Sequence, residues 1–137
     1  MTTNILIVDD EKSIRITFAS FLAEAGYQVA TAADYDEALN RIKEAVPDVI
    51  FADILLGGKT GIDLLEKVKK VDADIPVVMI TGAPNLETAS QAIRLGAFDY
   101  ISKPVEKELL LDAALRALRF KKVVEENTRF RSNLEAI

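Results

Sequence analysis

The chain is 137 residues long, half hydrophobic and 28% charged, with 17 Lys or Arg against 22 Asp or Glu and a net charge of -5. That length suits one domain burying roughly two-thirds of its unfolded surface. The absence of Cys and His excludes disulfides, thiolate and imidazole metal sites, and catalysis by either side chain, and the acidic balance argues against general nucleic-acid binding.

No run approaches the ~18 apolar residues of a membrane span, and Met1-Thr2-Thr3 leads into a strand without a signal-peptide pattern,. A cytoplasmic protein without membrane contact is expected. In chain order, residues 4–8 read as a strand followed by Asp9-Asp10-Glu11. Residues 13–25 carry Ile14, Phe18, Phe21, Leu22 and Ala25 at helical spacing, with Gly26 as the stop,. Residues 27–31 form a second strand. Asp34 with Glu37 makes a capping-box-like start for a helix bearing Ala38, Leu39 and Ile42, ended by Pro47,. Residues 48–53 are a continuous apolar run closing on Asp53, as in a strand buried on both faces,. After Gly57-Gly58-Lys59-Thr60-Gly61, residues 61–70 place Ile62, Leu65 and Val68 on one helical face. Residues 75–80 read as a fourth strand, Asn85 caps a helix through Leu95 that ends at Gly96, and residues 98–101 form a short fifth strand,. A long final helix runs from about Val105.

Five strand-then-helix repeats predict a doubly wound parallel α/β sheet with right-handed crossovers. Parallel strands share one carboxyl edge, so Asp9, Asp10, Asp53, Thr81 and Lys103 collect in one crevice. Taken singly, an Asp after a strand is a turn former or helix cap. As a cluster they need a cation or a shared proton, because two carboxylates about 4 Å apart repel by roughly 4 kcal/mol at an effective dielectric of 20. Oxygen ligands alone favour Mg2+, with room left for a phosphate oxygen. A carboxylate beside such a metal and a Lys has the makings of a nucleophile for phosphoryl transfer. Gly58-Lys59-Thr60 imitates the end of a nucleotide-binding P-loop, but the required Gly five positions earlier is Asp53, so nucleotide binding through it is rejected,.

The acidic pair Asp9-Asp10, Asp53 ending the third strand, Thr81 ending the fourth, and Tyr100-Ile101-Ser102-Lys103-Pro104 after Ala97-Phe98-Asp99 resemble the receiver domains of two-component response regulators, over residues 4–120. The resemblance implies a flavodoxin-like five-stranded sheet of order 2-1-3-4-5. It makes Asp53 the phosphoacceptor for a histidine kinase, and places Asp10, Asp9, Asp53 and the main-chain carbonyl of Leu55 around Mg2+. Thr81 and Lys103 would bind the phosphoryl group, Tyr100 would be the aromatic switch, and the Lys103-Pro104 bond would be cis. Output would pass through the face made by the fourth helix, fifth strand and fifth helix, also a route to homodimers. Leu56-Gly57 stands where many relatives carry Met-Pro, which predicts a more mobile loop. Leu55 and Ala83 occupy the positions that tune phosphate loss, and neither can orient a water, so a long-lived phosphoryl state is expected.

The tail has its own pattern. Phe120, Asn127 and Leu134 fall at heptad position a, with Val123, Phe130 and Ile137 at d, and net charge changes from -7 over residues 1–118 to +2 over 119–137,. The division expected is a receiver over residues 1–119 and a helical extension over 120–137, either solvated or a coiled-coil linker to a further domain. Glu125-Glu126-Asn127 weakly resembles the signalling helix of multidomain transcriptional activators. Two other readings stand beside the switch: a phosphorylation-independent dimerisation module of receiver ancestry, and a hydrolase of the aspartyl-phosphate type. The hydrolases usually place Asp two residues after the nucleophile, where this chain has Leu55.

Overall fold

The computed structural model describes residues 2–136. Five parallel strands, β1 (Asn4–Val8), β2 (Gln28–Ala32), β3 (Val49–Asp53), β4 (Val77–Thr81) and β5 (Asp99–Ser102), alternate with five helices. These are α1 (Lys12–Glu24), α2 (Tyr35–Glu44), α3 (Gly61–Val71), α4 (Leu86–Arg94) and α5 (Lys107–Glu135). The strand order is β2-β1-β3-β4-β5, the flavodoxin-like order expected from the sequence.

Alternation along the central strands sorts the core into two layers. Leu6, Val8, Ile50, Ala52, Val77 and Met79 pack with Ala38, Leu64, Leu65, Val68 and Ala92 of α2, α3 and α4. Ile5, Ile7, Val49, Phe51, Val78 and Ile80 pack with Phe18, Leu22, Leu110 and Ala114 of α1 and α5. Every residue of β3 and β4 is buried, which is why both read as unbroken apolar runs.

Local chemistry sets the boundaries. Asp34 caps α2 through the Glu37 N–H, while the Glu37 carboxylate reaches back to the Ala33 N–H, one residue beyond the ordinary capping box,. Thr60 and Asp63 form the complete box at the start of α3. The fourth strand begins at Val77, two residues later than its apolar run suggests. Pro76 has no N–H to give, and only its carbonyl joins the sheet, accepting from Ile50,. Gly26, with φ +98°, turns the chain out of α1,.

The last helix leaves the domain without breaking. Ala117 is its last buried residue, yet the next turn still touches the body. The rings of Phe120 and Phe98 lie 5.3 Å apart, and Lys121 Nζ meets the Asp48 carboxylate at 2.8 Å. Beyond them Val123, Phe130 and Leu134 are exposed. Ile137, the last residue of the heptad pattern, lies outside the described residues. At 29 residues the helix is about 43 Å long.

Candidate functional site

The register brings the strand ends together. Val8 pairs with Ala52, Asp53 with Ile80, and Thr81 with Ser102, so Asp9, Asp53, Thr81 and Lys103 surround one crevice at the carboxyl edge. Carboxylate oxygens of Asp9, Asp10 and Asp53 lie within 4.8 Å of one another. Asp9 and Asp53 are buried, whereas Asp10 is exposed.

Lys103 is the cation that makes this arrangement tolerable. Its Nζ donates to Asp9 Oδ2 at 2.9 Å and to Asp53 Oδ2 at 2.8 Å. The other oxygens are held by backbone: Asp9 Oδ1 accepts from Glu11 N–H at 2.8 Å, and Asp53 Oδ1 from Leu55 N–H at 3.1 Å. Among the described residues Asp10 pairs with no cation. Three carboxylates against one ammonium leave a net charge of -2, a standing demand for a second cation. Oxygen donors without nitrogen or sulfur, two of them buried, fit a hard divalent ion such as Mg2+.

Burial acts to lower the Lys103 pKa, but the hydrogen bonds and charges of Asp53 and Asp9 outweigh it and raise the pKa above 10.5. A raised folded-state value means that the stabilisation from Lys103 is fully present below pH 10.5 and is lost as pH climbs through the higher folded value,. The difference in urea midpoint between the native chain and Lys103→Met is therefore expected to be constant from about pH 7 to 10 and to shrink above that. A difference already shrinking by pH 9 would contradict the pairing.

Thr81 is buried at the end of β4, its Oγ1 accepting from Ala83 N–H at 3.0 Å, and its carbonyl accepts from Lys103 N–H at 2.8 Å. The Lys103–Pro104 peptide is cis. Tyr100 is half-buried, with its hydroxyl 2.8 Å from Thr88 Oγ1 and accepting from Asn85 N–H at 3.3 Å. Leu55 is 58% exposed at the mouth of the crevice. The tail residues Phe120, Val123, Asn127, Phe130 and Leu134 lie away from this edge, on α5.

Gly61 is the residue whose importance the motifs conceal. A Cβ on it would collide with the carbonyl group of Asp53 and the Cα of Ile54. Its N–H donates to the Ile54 carbonyl at 2.9 Å, so α3 starts directly against the backbone carrying Asp53. The only hint in the sequence is a glycine eight positions after a strand-ending carboxylate.

A parallel sheet of order β2-β1-β3-β4-β5 whose carboxyl edge gathers three acids around one lysine belongs to the flavodoxin-like class of fold. The family model described as the response regulator receiver domain matches residues 5–115, and the chain belongs to that family. It is 43% identical over 131 residues to the nitrogen assimilation regulatory protein NtrX of Azorhizobium caulinodans, covering 92% of this chain and 29% of that protein. Among solved structures, NtrX from Brucella abortus superposes with a TM-score of 0.89 at 43% identity, over 96% of this chain and 30% of that one. The isolated receiver domain of Brucella abortus NtrX gives a TM-score of 0.79 at 45% identity, over 84% of this chain and 98% of that one. The chain thus spans less than a third of the full-length relatives. No helix among the described residues is long and apolar enough to cross a membrane.

Proposed function

We propose that the chain is a switch driven by phosphorylation of Asp53, with a histidine kinase or a small acyl phosphate as donor. The observation that carries this reading is the placement of Asp53: buried, at the carboxyl end of the central strand, and bonded to Lys103 at 2.8 Å. The Asp9, Asp10 and Asp53 carboxylates with the Leu55 main-chain carbonyl would hold Mg2+, which when bound neutralises the cluster and polarises a phosphoryl oxygen.

The protein's own groups do the rest. A carboxylate oxygen of Asp53 forms the new bond to phosphorus as the bond from phosphorus to the donor's leaving atom breaks, and that atom keeps the electron pair. Lys103 moves its ammonium from the carboxylate to a phosphoryl oxygen. The Thr81 hydroxyl, whose oxygen accepts from the Ala83 N–H, turns its own proton to a second,. The dianionic product makes these positions strongly preferred, and an almost complete switch needs about 5.5 kcal/mol of differential stabilisation. For Tyr100 to follow Thr81 inward, it must release Thr88 and Asn85, so the resting state has two hydrogen bonds of its own to lose. Water meets no hydrogen-bonding side chain at Leu55 or Ala83, which supports slow loss of the phosphoryl group.

Residues 1–119 act as the receiver and 120–137 as a helical extension, through which a change at β5 and α5 reaches a second copy or a further domain. Exposed Val123, Phe130 and Leu134 at heptad positions, with Asn127 between them, support a parallel dimer,. Contact with a histidine kinase and no direct contact with nucleic acid complete the reading. Incubation with Mg2+ and acetyl phosphate should add one phosphoryl group to the intact mass, with none added in EDTA, and should shift the oligomeric state of the same sample. No gain where a control receiver is labelled would leave the phosphorylation-independent dimerisation module as the better account.

A further inference from the structure

The loop between β3 and α3 is pinned at both ends. Leu56 is buried near its start, and the Thr60–Asp63 box fixes its end. Between them Gly57 and Gly58 adopt φ of +35° and +84° with open space around both α-carbons. Consecutive glycines carry the largest backbone freedom to be lost on ordering, and both are exposed. One side chain of the tip reaches another element. Lys59 Nζ lies 4.7 Å from the centroid of the Tyr35 ring, within the range of a cation–π interaction,. Tyr35 is a firm anchor, since it opens α2 directly after the Asp34 cap and packs against the core. Asp34 and Asp36 line the same cleft of about 250 Å³ and add a favourable field for the ammonium.

We propose that Lys59 is a positioning residue for the phosphoacceptor site: resting on the Tyr35 ring, it clips the glycine-rich loop to α2 and so orders the segment that orients Asp53. The link runs through Leu55, whose N–H donates to Asp53 Oδ1 at 3.1 Å. Leu55 is otherwise poorly held, its side chain being mostly exposed. Leu55 adjoins Leu56, the pin at the start of the loop, so the tip acts on the nucleophile's hydrogen bond and on the carbonyl assigned to the metal by shifting Leu56. This inference rests on the switch reading for its consequence, but the clip itself can be read without it.

The test uses Lys59→Gln and Tyr35→Leu, which remove the interaction, beside Lys59→Arg and Tyr35→Phe, which keep a cation and a ring. Amide hydrogen exchange over residues 55–59 and Mg2+ half-saturation followed by amide chemical shifts are measured on each full-length chain. A surface cation–π pair predicts about a two- to five-fold rise in exchange rate and in half-saturating Mg2+ for the disruptive variants. The conservative variants should stay near the native values, and the double variant Lys59→Gln/Tyr35→Leu should exceed neither single one. Unchanged exchange and Mg2+ binding in Lys59→Gln, or additive effects in the double variant, would overturn the clip while leaving a phosphorylated native chain intact. A native chain that neither binds Mg2+ nor gains a phosphoryl group would instead overturn the switch reading, and with it the role given to Lys59.

Discussion

Asp53→Asn is expected to take up no phosphoryl group from acetyl phosphate and Mg2+, under conditions that add one to the native chain. The amide lacks the nucleophilic carboxylate. The stability of the same variant should reverse order with metal. Without Mg2+, Asn keeps an acceptor for the Leu55 N–H and removes a buried charge that repels Asp9, a repulsion of roughly 4 kcal/mol for a pair 4 Å apart at a dielectric of 20. Lys103 retains its bond to Asp9. The variant should therefore unfold at no lower urea than the native chain. At 100 times the dissociation constant a bound ion adds about 2.7 kcal/mol to the native fold, and the variant, one carboxylate short, should gain less and fall behind. A variant less stable even without Mg2+ would mean that the Lys103–Asp53 attraction outweighs the carboxylate repulsion, as happens when one member of a buried ion pair is removed. A phosphoryl gain in the variant would move the chemistry to Asp10, the exposed carboxylate of the cluster.

The crevice was legible in the sequence because its side chains stand at the ends of apolar runs. A run such as residues 49–52, buried throughout, declares a central strand, and parallel topology then puts the residue ending each strand at one edge. Charges and hydroxyls at those positions stand out against their neighbours. Contacts made by backbone, or across long sequence separations, leave no such contrast. Lys103 pairing with Asp9 as well as Asp53 joins residues 94 apart. Lys121 with Asp48 joins residues 73 apart. Phe120 shows the ambiguity most plainly, for its heptad position suggests a partner helix, while in the structure its ring lies against Phe98 of the same chain. An apolar residue at a helical spacing states that a face will be covered, not by what. The strand limits shifted for a similar reason: hydrophobicity marks burial, whereas the start of β4 depends on which residue can offer an N–H.

Gly61→Ala is expected to cost about 3 kcal/mol and to lower the melting temperature by roughly 10 °C. The atoms in the way belong to the carbonyl group of Asp53 and the Cα of Ile54. Overpacking is usually relieved by a side chain changing rotamer, but here the obstacle is main chain at the end of a central strand. β3 pairs with β1 on one side and β4 on the other, and the Ile54 N–H continues that ladder to the Ile80 carbonyl. Moving the strand end breaks sheet hydrogen bonds; moving α3 uncovers Leu64, Leu65 and Val68, which are buried in the core. Moving the strand end also displaces Asp53 from Lys103, so phosphoryl uptake should slow along with the loss of stability. Gly58→Ala is the matched comparison. Its φ of +84° is unfavourable for alanine, yet nothing lies within 4 Å of the added carbon, so the cost is conformational alone, about 1–2 kcal/mol, with no clash against the Asp53 main chain. If Gly61→Ala is no worse than Gly58→Ala in melting temperature and labels at the native rate, α3 can stand off from the strand, and the close approach at Gly61 is not what holds the nucleophile in place.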